Sequence, residues 1–320
     1  MRAVLPPDPG GDSAPRLGEL PEPIPAAGEV LVEVRATALN RVDLMQLRGL
    51  YPPPVGASEI PGLEAAGVIV GLGAGVEGWR LGERVAALLA GGGHAERVAA
   101  PVGQLIRVPE SWSWAEAAAL PEAAITGWTN LVAEGGLRPG QTVLVSGATS
   151  GVGSYTAGLA KALGASVIAV ARDRERLDRL PAPRPDRCLT FDELRAAGPG
   201  LDVDLVVDFV GGGELPRLLS ALRPRGRLVL VGLMAGRMAT LDLGDLLRRR
   251  LELRGSVLRS RPAAEKSDLV AGFTAFAAER LARRELVPLV ERVFDFERIA
   301  DAYAHLERGR PFGKVVVRFG

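Results

Sequence analysis

The chain has 320 residues, 47% apolar and 24% charged, with 39 basic and 38 acidic side chains giving a net charge of +1. That length can bury the cores of two domains, that composition excludes an extended disordered protein, and that balance supplies no large field to draw nucleic acid or an anionic membrane. Cys188 is the sole cysteine, which excludes a disulfide framework or a cysteine-rich zinc lobe; with no leader-like start and no apolar run near the roughly 20 residues that span a bilayer, a cytoplasmic protein is expected.

Residues 29–38 (EVLVEVRATA), 64–72 (EAAGVIVGL), 84–89 and 96–100 are short strand-like runs broken by Pro and Gly, with no helical period. They predict a compact, irregular barrel. A helical segment follows over 114–134, and Pro121 inside it predicts two pieces. Residues 142–165, TVLVSGATSGVGSYTAGLAKALGA, then read as a buried strand, a glycine turn and a helix. Val143, Leu144 and Val145 form the strand; Gly147, Gly151 and Gly153 let the backbone turn tightly and approach a pyrophosphate. The first N–H groups of the helix, near Gly151 to Ser154, lack intrahelical partners and sit at its positive end, which suits a diphosphate.

Beyond this motif strands alternate with helices. Strands are expected at 166–171, 187–189, 202–208, 227–231 and 251–257, and helices at 175–180, 214–222 and 241–250. With 143–146 they make six strands of a parallel doubly wound sheet. A long amphipathic helix over 263–284, a strand near 290–294, a helix over 297–307 and a strand over 314–319 complete the chain, and this tail is expected to rejoin the first domain. The second strand of the sheet ends Ala171-Arg172. Arg172 and Arg176 offer guanidinium forks suited to a 2′-phosphate, which favours NADPH, while Asp173 one step further keeps NADH open.

Several stretches together resemble the medium-chain dehydrogenase/reductase superfamily, and within it the zinc-free quinone oxidoreductases of zeta-crystallin type. They are ALNRVDLMQLRGLYPPP (38–54), IPGLEAAGVI (60–69), AAALPEAAITGW (117–128), SGATSGVG (146–153), VVDFVGG (206–212), LVGLMAG (230–236) and FGKVVV (312–317). The resemblance covers nearly the whole chain and implies an α/β protein: a GroES-like β-barrel catalytic domain, residues 1–115 and 259–320, with a Rossmann doubly wound parallel sheet, residues 116–258, inserted. Zinc-dependent relatives need a Cys where Asn40 stands and a His where Leu63 stands, so no metal site is expected. His94 and His305 lack partners at ligand spacing and read as structural.

The resemblance further implies NADPH-dependent transfer of hydride to a quinone in the cleft between the domains. It places Asn40, Asp43 and Tyr51 on the substrate side, with Asn40 or Tyr51 donating a hydrogen bond to the quinone oxygen. Asn40 also suits the cap of a helix starting near Val42, and Asp43 its first turn. The cofactor side comprises Glu122 and Thr126 at the nicotinamide end, Gly147, Ala148, Ser150, Gly151 and Val152 at the pyrophosphate, then Phe209, Val210, Gly232, Leu233, Met234 and Lys314. A tyrosine that family members pack on the adenosine phosphate has its nearest match in Phe191. Family likeness also implies a homodimer joined through the nucleotide domains.

Three other readings stand beside this one. An enoyl or 2-alkenal reductase on the same fold would use nearly the same chemistry. An RNA-binding or structural zeta-crystallin-like protein would retain the fold without turnover. A short-chain dehydrogenase would need a Tyr-x-x-x-Lys pair downstream of the glycine turn, and neither Tyr155 nor Tyr303 has a lysine at that spacing.

Overall fold

The computed structural model describes residues 1–6, 14–309 and 311–320. They divide into two compact units, Met1–Ile125 with Arg259–Gly320, and Thr126–Leu258.

The first unit is built on the Glu29–Leu39 strand. Its first half pairs with Arg97–Pro101, its second half with Lys314–Arg318, and its other edge with Glu64–Leu72. Register shifts at Leu31/Val32 and Val34/Ala36 bend it, so one strand serves two partners along the same edge and curls the sheet toward a barrel. The seven-stranded sheet runs Val290–Asp295, Lys314–Arg318, Glu29–Leu39, Glu64–Leu72, Arg84–Leu88 and Leu105–Arg107, with Arg97–Pro101 as the branch. Val30, Val32, Val34, Ile69 and Val85 fill its interior. The tail rejoins this unit through the antiparallel pairing of Lys314–Arg318.

The second unit holds six parallel strands in the order Arg187–Thr190, Ser166–Ala171, Thr142–Ser146, Val203–Asp208, Leu222–Leu230, Glu252–Gly255. The chain runs outward from Thr142–Ser146 in one direction and then returns to run outward in the other. This is the doubly wound order with its switch point between Thr142–Ser146 and Val203–Asp208, where such sheets open a crevice at the carboxyl ends of their strands. Val143, Leu144, Val206, Val207 and Leu228 are wholly buried, as a sheet covered on both faces requires.

Two boundaries differ most from the sequence reading. The 227–231 strand begins at Leu222, because Arg225 adopts a φ of 64° and lets the strand pass through an irregular segment. The first division between units lies after Ile125, not at 115, because the Trp114–Ala118 helix packs on the Glu29–Leu39 and Glu64–Leu72 strands. Pro121 opens the second helix, Pro121–Trp128, where its missing N–H costs nothing. A π-helical turn, Thr129–Ala133, follows, and the Asn130 amide donates to the Thr126 carbonyl at 2.7 Å. No helix among the described residues is long and apolar enough to cross a membrane.

Candidate active site

In the first unit the site is organised around Glu64. It lies at the start of the Glu64–Leu72 strand and is wholly buried. Its Oε1 accepts from the Lys314 ammonium at 2.6 Å and from the Asn40 amide at 2.9 Å, and its Oε2 from the Glu122 backbone N–H at 2.8 Å. Lys314 closes the triangle by donating to Asn40 Oδ1 at 2.7 Å. A buried carboxylate carries a large desolvation cost, and a buried cation with two further donors offsets it. Asn40 occupies the N-cap position of the Arg41–Leu47 helix, as expected, but its side-chain amide is committed to Glu64 and Lys314.

Asp43 fulfils the first-turn role. Its Oδ2 accepts the Asn40 backbone N–H at 2.7 Å. The carboxylate is fully buried, Oδ1 has no hydrogen-bond partner, and burial raises its pKa to about 6. Across from it, His94 Nε2 lies 3.9 Å from Asp43 Oδ2 and also lacks a hydrogen-bond partner, while His94 Nδ1 bonds to the Tyr303 hydroxyl at 2.8 Å. Burial lowers the His94 pKa to about 4, so the imidazole is neutral at pH 7.

Tyr51 is half-buried, and desolvation raises its pKa. The phenol therefore keeps its proton and remains a donor across the neutral range. Its backbone is pinned by Arg259, which reaches the Tyr51 carbonyl at 3.4 Å, Gln46 Oε1 at 2.6 Å and the Ala90 carbonyl at 2.8 Å.

In the second unit the site lies at the strand ends. Ser150 caps the Gly151–Ala162 helix: its Oγ accepts from the Gly153 N–H at 3.0 Å and donates to the Gly147 carbonyl at 2.8 Å. Gly147 has a φ of +66°, and a Cβ on Gly153 would lie 2.2 Å from the Gly147 carbonyl oxygen. The turn and helix thus approach more closely than any side chain permits, and among the first amides of the twelve-residue helix the Gly153 N–H is taken by Ser150. Ala148 is buried, and its N–H donates to the Val170 carbonyl at 3.1 Å. That cradle fits a dinucleotide pyrophosphate.

Across the switch point, Asp208 fixes the next loop. It is wholly buried, Ser146 Oγ donates to it, and it accepts the Val210 and Gly211 backbone N–H groups at 2.8 and 3.1 Å. Phe209 donates its N–H to Ser146 Oγ at 3.1 Å. A Cβ on Gly232 would lie 2.4 Å from the Phe209 carbonyl oxygen, so this loop and the 231–236 loop pack backbone to backbone. Leu233 and Met234 beyond it are half-exposed. Phe191 instead sits in the hydrophobic core with Leu194 and Leu218.

At the end of Ser166–Ala171, Asp173 caps the Arg174–Asp178 helix through the Arg176 N–H at 3.2 Å, and its other oxygen pairs with Arg176 Nε at 3.4 Å. Asp173 is thereby engaged with its own helix. Arg172 stands exposed one residue before it.

Two organising acids were not among the sequence candidates. Glu64 opens and Asp208 closes an apolar strand run, EAAGVI and LVVD, and a carboxylate at a position that the pattern buries is a signal for a paired group.

A GroES-like unit and a doubly wound unit with these two arrangements define the architecture of an oxidoreductase. Residues 26–110 match the Alcohol dehydrogenase GroES-like domain family and residues 151–273 the Zinc-binding dehydrogenase family. The human synaptic vesicle membrane protein VAT-1 homolog is 31% identical, over 92% of this chain and 80% of that protein. A crystal structure of the quinone oxidoreductase from Thermus thermophilus, also described in complex with NADPH, is 36% identical over 99% of this chain and 100% of that one, with a TM-score of 0.81. An NAD-dependent alcohol dehydrogenase structure is 30% identical over 100% of both chains, with a TM-score of 0.83. The chain belongs to the medium-chain dehydrogenase/reductase superfamily.

Proposed function

We propose that this protein is an NADPH-dependent, zinc-independent reductase of quinones. The observation that carries the reading is the contact of Lys314 with Glu64 and Asn40 at 2.6 and 2.7 Å. In zinc-dependent relatives the Asn40 and Leu63 positions hold a thiolate and an imidazole. Here an amide and an alkyl side chain stand there, and the Asn40 amide is engaged with Lys314 and Glu64. This donor set does not fit a zinc ion, which needs about four N, O or S ligands in tetrahedral array. No group of three or more His, Cys, Asp or Glu among the described residues could hold a metal.

Without a Lewis acid, reduction of a simple ketone or aldehyde is poorly assisted. A quinone needs less help, because its conjugated carbonyls spread the charge that develops as hydride arrives. A nicotinamide dinucleotide supplies the hydride when bound. Tyr51, held protonated by its half-buried setting, donates a hydrogen bond to the acceptor oxygen and stabilises the developing oxyanion. Asn40, Glu64 and Lys314 hold the segment before Tyr51 in place. For the cofactor, the engagement of Asp173 with Arg176 and its helix supports NADPH, because an acid turned to its own helix is not offered to ribose hydroxyls, while Arg172 carries the charge a 2′-phosphate needs and Arg176 would exchange Asp173 for that phosphate.

The test is steady-state oxidation of NADPH and of NADH with 1,4-naphthoquinone, phenanthrenequinone, a 2-alkenal and a simple aldehyde, with and without a chelator. Quinone turnover with NADPH that survives the chelator is expected. Turnover of the simple aldehyde alone, and only with added zinc, would sink the reading.

A further inference from the structure

The first unit contains a cavity of about 550 Å³ whose walls include Ser58, Gly91, Arg259, Ser260, Pro262 and Lys266. Arg259 and Lys266 are 5% and 6% exposed, and neither has a carboxylate within 4.0 Å among the described residues. Arg259 spends its hydrogen bonds on neutral acceptors: two carbonyls and the Gln46 amide. The Lys266 ammonium has a single long contact, 3.4 Å, with the Arg259 carbonyl. Of the other cations on the wall, Arg97 pairs with Glu22 and Arg261 with Glu265, the Met1 ammonium donates to the Leu20 carbonyl at 2.8 Å, and the wall carboxylate of Glu29 accepts the Ala26 N–H.

Two buried cations facing one cavity without a counter-ion in contact carry a desolvation cost that an anion in that cavity removes. Burial lowers the pKa of both groups. The cavity wall also includes the start of the twenty-residue Ala263–Ala282 helix, whose N-cap position is Pro262 and has no side-chain cap. Its first backbone N–H groups thus add donors and a positive dipole end.

We propose that this cavity is an anion-binding site and that it seats the carboxylate or phosphate on the tail of the electron acceptor. The acceptor assignment rests on the reductase reading above and on Arg259, which touches the cavity and also holds Tyr51, with its guanidinium carbon 5.4 Å from the phenol ring centre.

Two arms test the proposal separately. In the first, wild-type protein, Lys266→Met and Lys266→Arg are titrated calorimetrically with inorganic phosphate and with acetate, at low ionic strength and without dinucleotide. Saturable binding that weakens about tenfold or more in Lys266→Met and returns in Lys266→Arg is expected, since a buried charge loses its partner only in the first variant. Absence of saturable binding, or equal affinity in all three proteins, overturns the anion site.

In the second arm, kcat/KM with NADPH is compared within two pairs of 2-alkyl-1,4-naphthoquinones: one with an alkyl tail ending in a phosphate against the same tail ending in the free alcohol, and one with a tail ending in a carboxylate against its methyl ester. A preference for the charged member of one pair, reduced about tenfold by Lys266→Met, is expected and identifies the anion as phosphate or carboxylate. Turnover of the neutral members with no preference in either pair overturns the acceptor assignment. If neither pair nor any other quinone is reduced, the reductase reading fails with it, and the titration alone decides the anion site.

Discussion

Asp43 and His94 are buried together with opposite electrostatic problems, and this gives the fold a pH signature. Desolvation raises Asp43 to about 6 and lowers His94 to about 4. An acid whose folded pKa lies above its unfolded value contributes stability that is complete below about 4 and is lost as pH rises through about 6. A histidine whose folded pKa lies below its unfolded value of about 6.5 behaves in the opposite sense, losing its contribution as pH falls from about 6.5 toward 4. The two oppose each other across that window and flatten the profile. Asp43→Asn removes the first and unmasks the second, so its Tm should gain on wild type steadily from pH 4 to pH 7, the gain corresponding to on the order of 2–3 kcal/mol of unfolding free energy. A Tm difference independent of pH would show that burial does not raise the Asp43 pKa in the fold. At the same scale, Lys314→Met strands the Glu64 carboxylate without its cation and should cost about 3–5 kcal/mol, measurable by chemical denaturation, with Lys314→Arg recovering part of it.

At the scale of elements, the strand, glycine turn and helix over Thr142–Ala162 could be read from sequence because every part of the pattern is local: an apolar run, three glycines and an apolar helical period within twenty-odd positions. Pro121 was legible for the same reason, since a proline dictates its helix boundary without reference to anything distant. Glu64 and Asp208 were not, because what defines them is remote. Glu64 meets Asn40 across 24 positions and Lys314 across 250, and Asp208 meets Ser146 across 62. Asn40 shows the cost of local reading: its cap position was recoverable, but the destination of its amide was not.

Two variants probe this level. Gly153→Ala places a methyl against the Gly147 carbonyl at 2.2 Å, which forces the helix away from the strand end. It should cost about 1–3 kcal/mol in stability and weaken NADPH and NADH alike in a fluorescence titration. Arg172→Asp combined with Arg176→Ala should instead raise the Michaelis constant for NADPH about tenfold or more and spare NADH, because only a charged 2′-phosphate depends on them; equal effects on both cofactors would remove the phosphate-clamp role.

At the scale of the whole molecule, the sheet of the second unit ends on Glu252–Gly255, whose four residues are all exposed, with Leu247, Leu253 and Val257 exposed nearby. An edge strand with unpaired backbone and apolar neighbours is a template for another strand. The homodimer expected from family likeness would cover it, and Leu253→Lys should then shift the mass seen by light scattering from two chains to one while leaving the circular dichroism unchanged. The two-unit architecture was legible because the pattern of short broken strands gives way to alternating strands and helices. The first boundary was placed too early because the Trp114–Ala118 helix looks, from sequence, like the start of the alternation and is in fact packed on barrel strands.

The Lys314–Arg318 strand completes both the barrel edge at Glu29–Leu39 and the charge balance at Glu64. Ribosomal synthesis runs in one direction, so residues 126–258 leave the exit tunnel with all six of their strands in hand, while the earlier barrel residues wait for a partner made 250 positions later. During that interval the nascent molecule carries a finished second unit and, in the first, an acid without its cation and an open β-edge, and its vulnerability to mispairing or proteolysis is concentrated there.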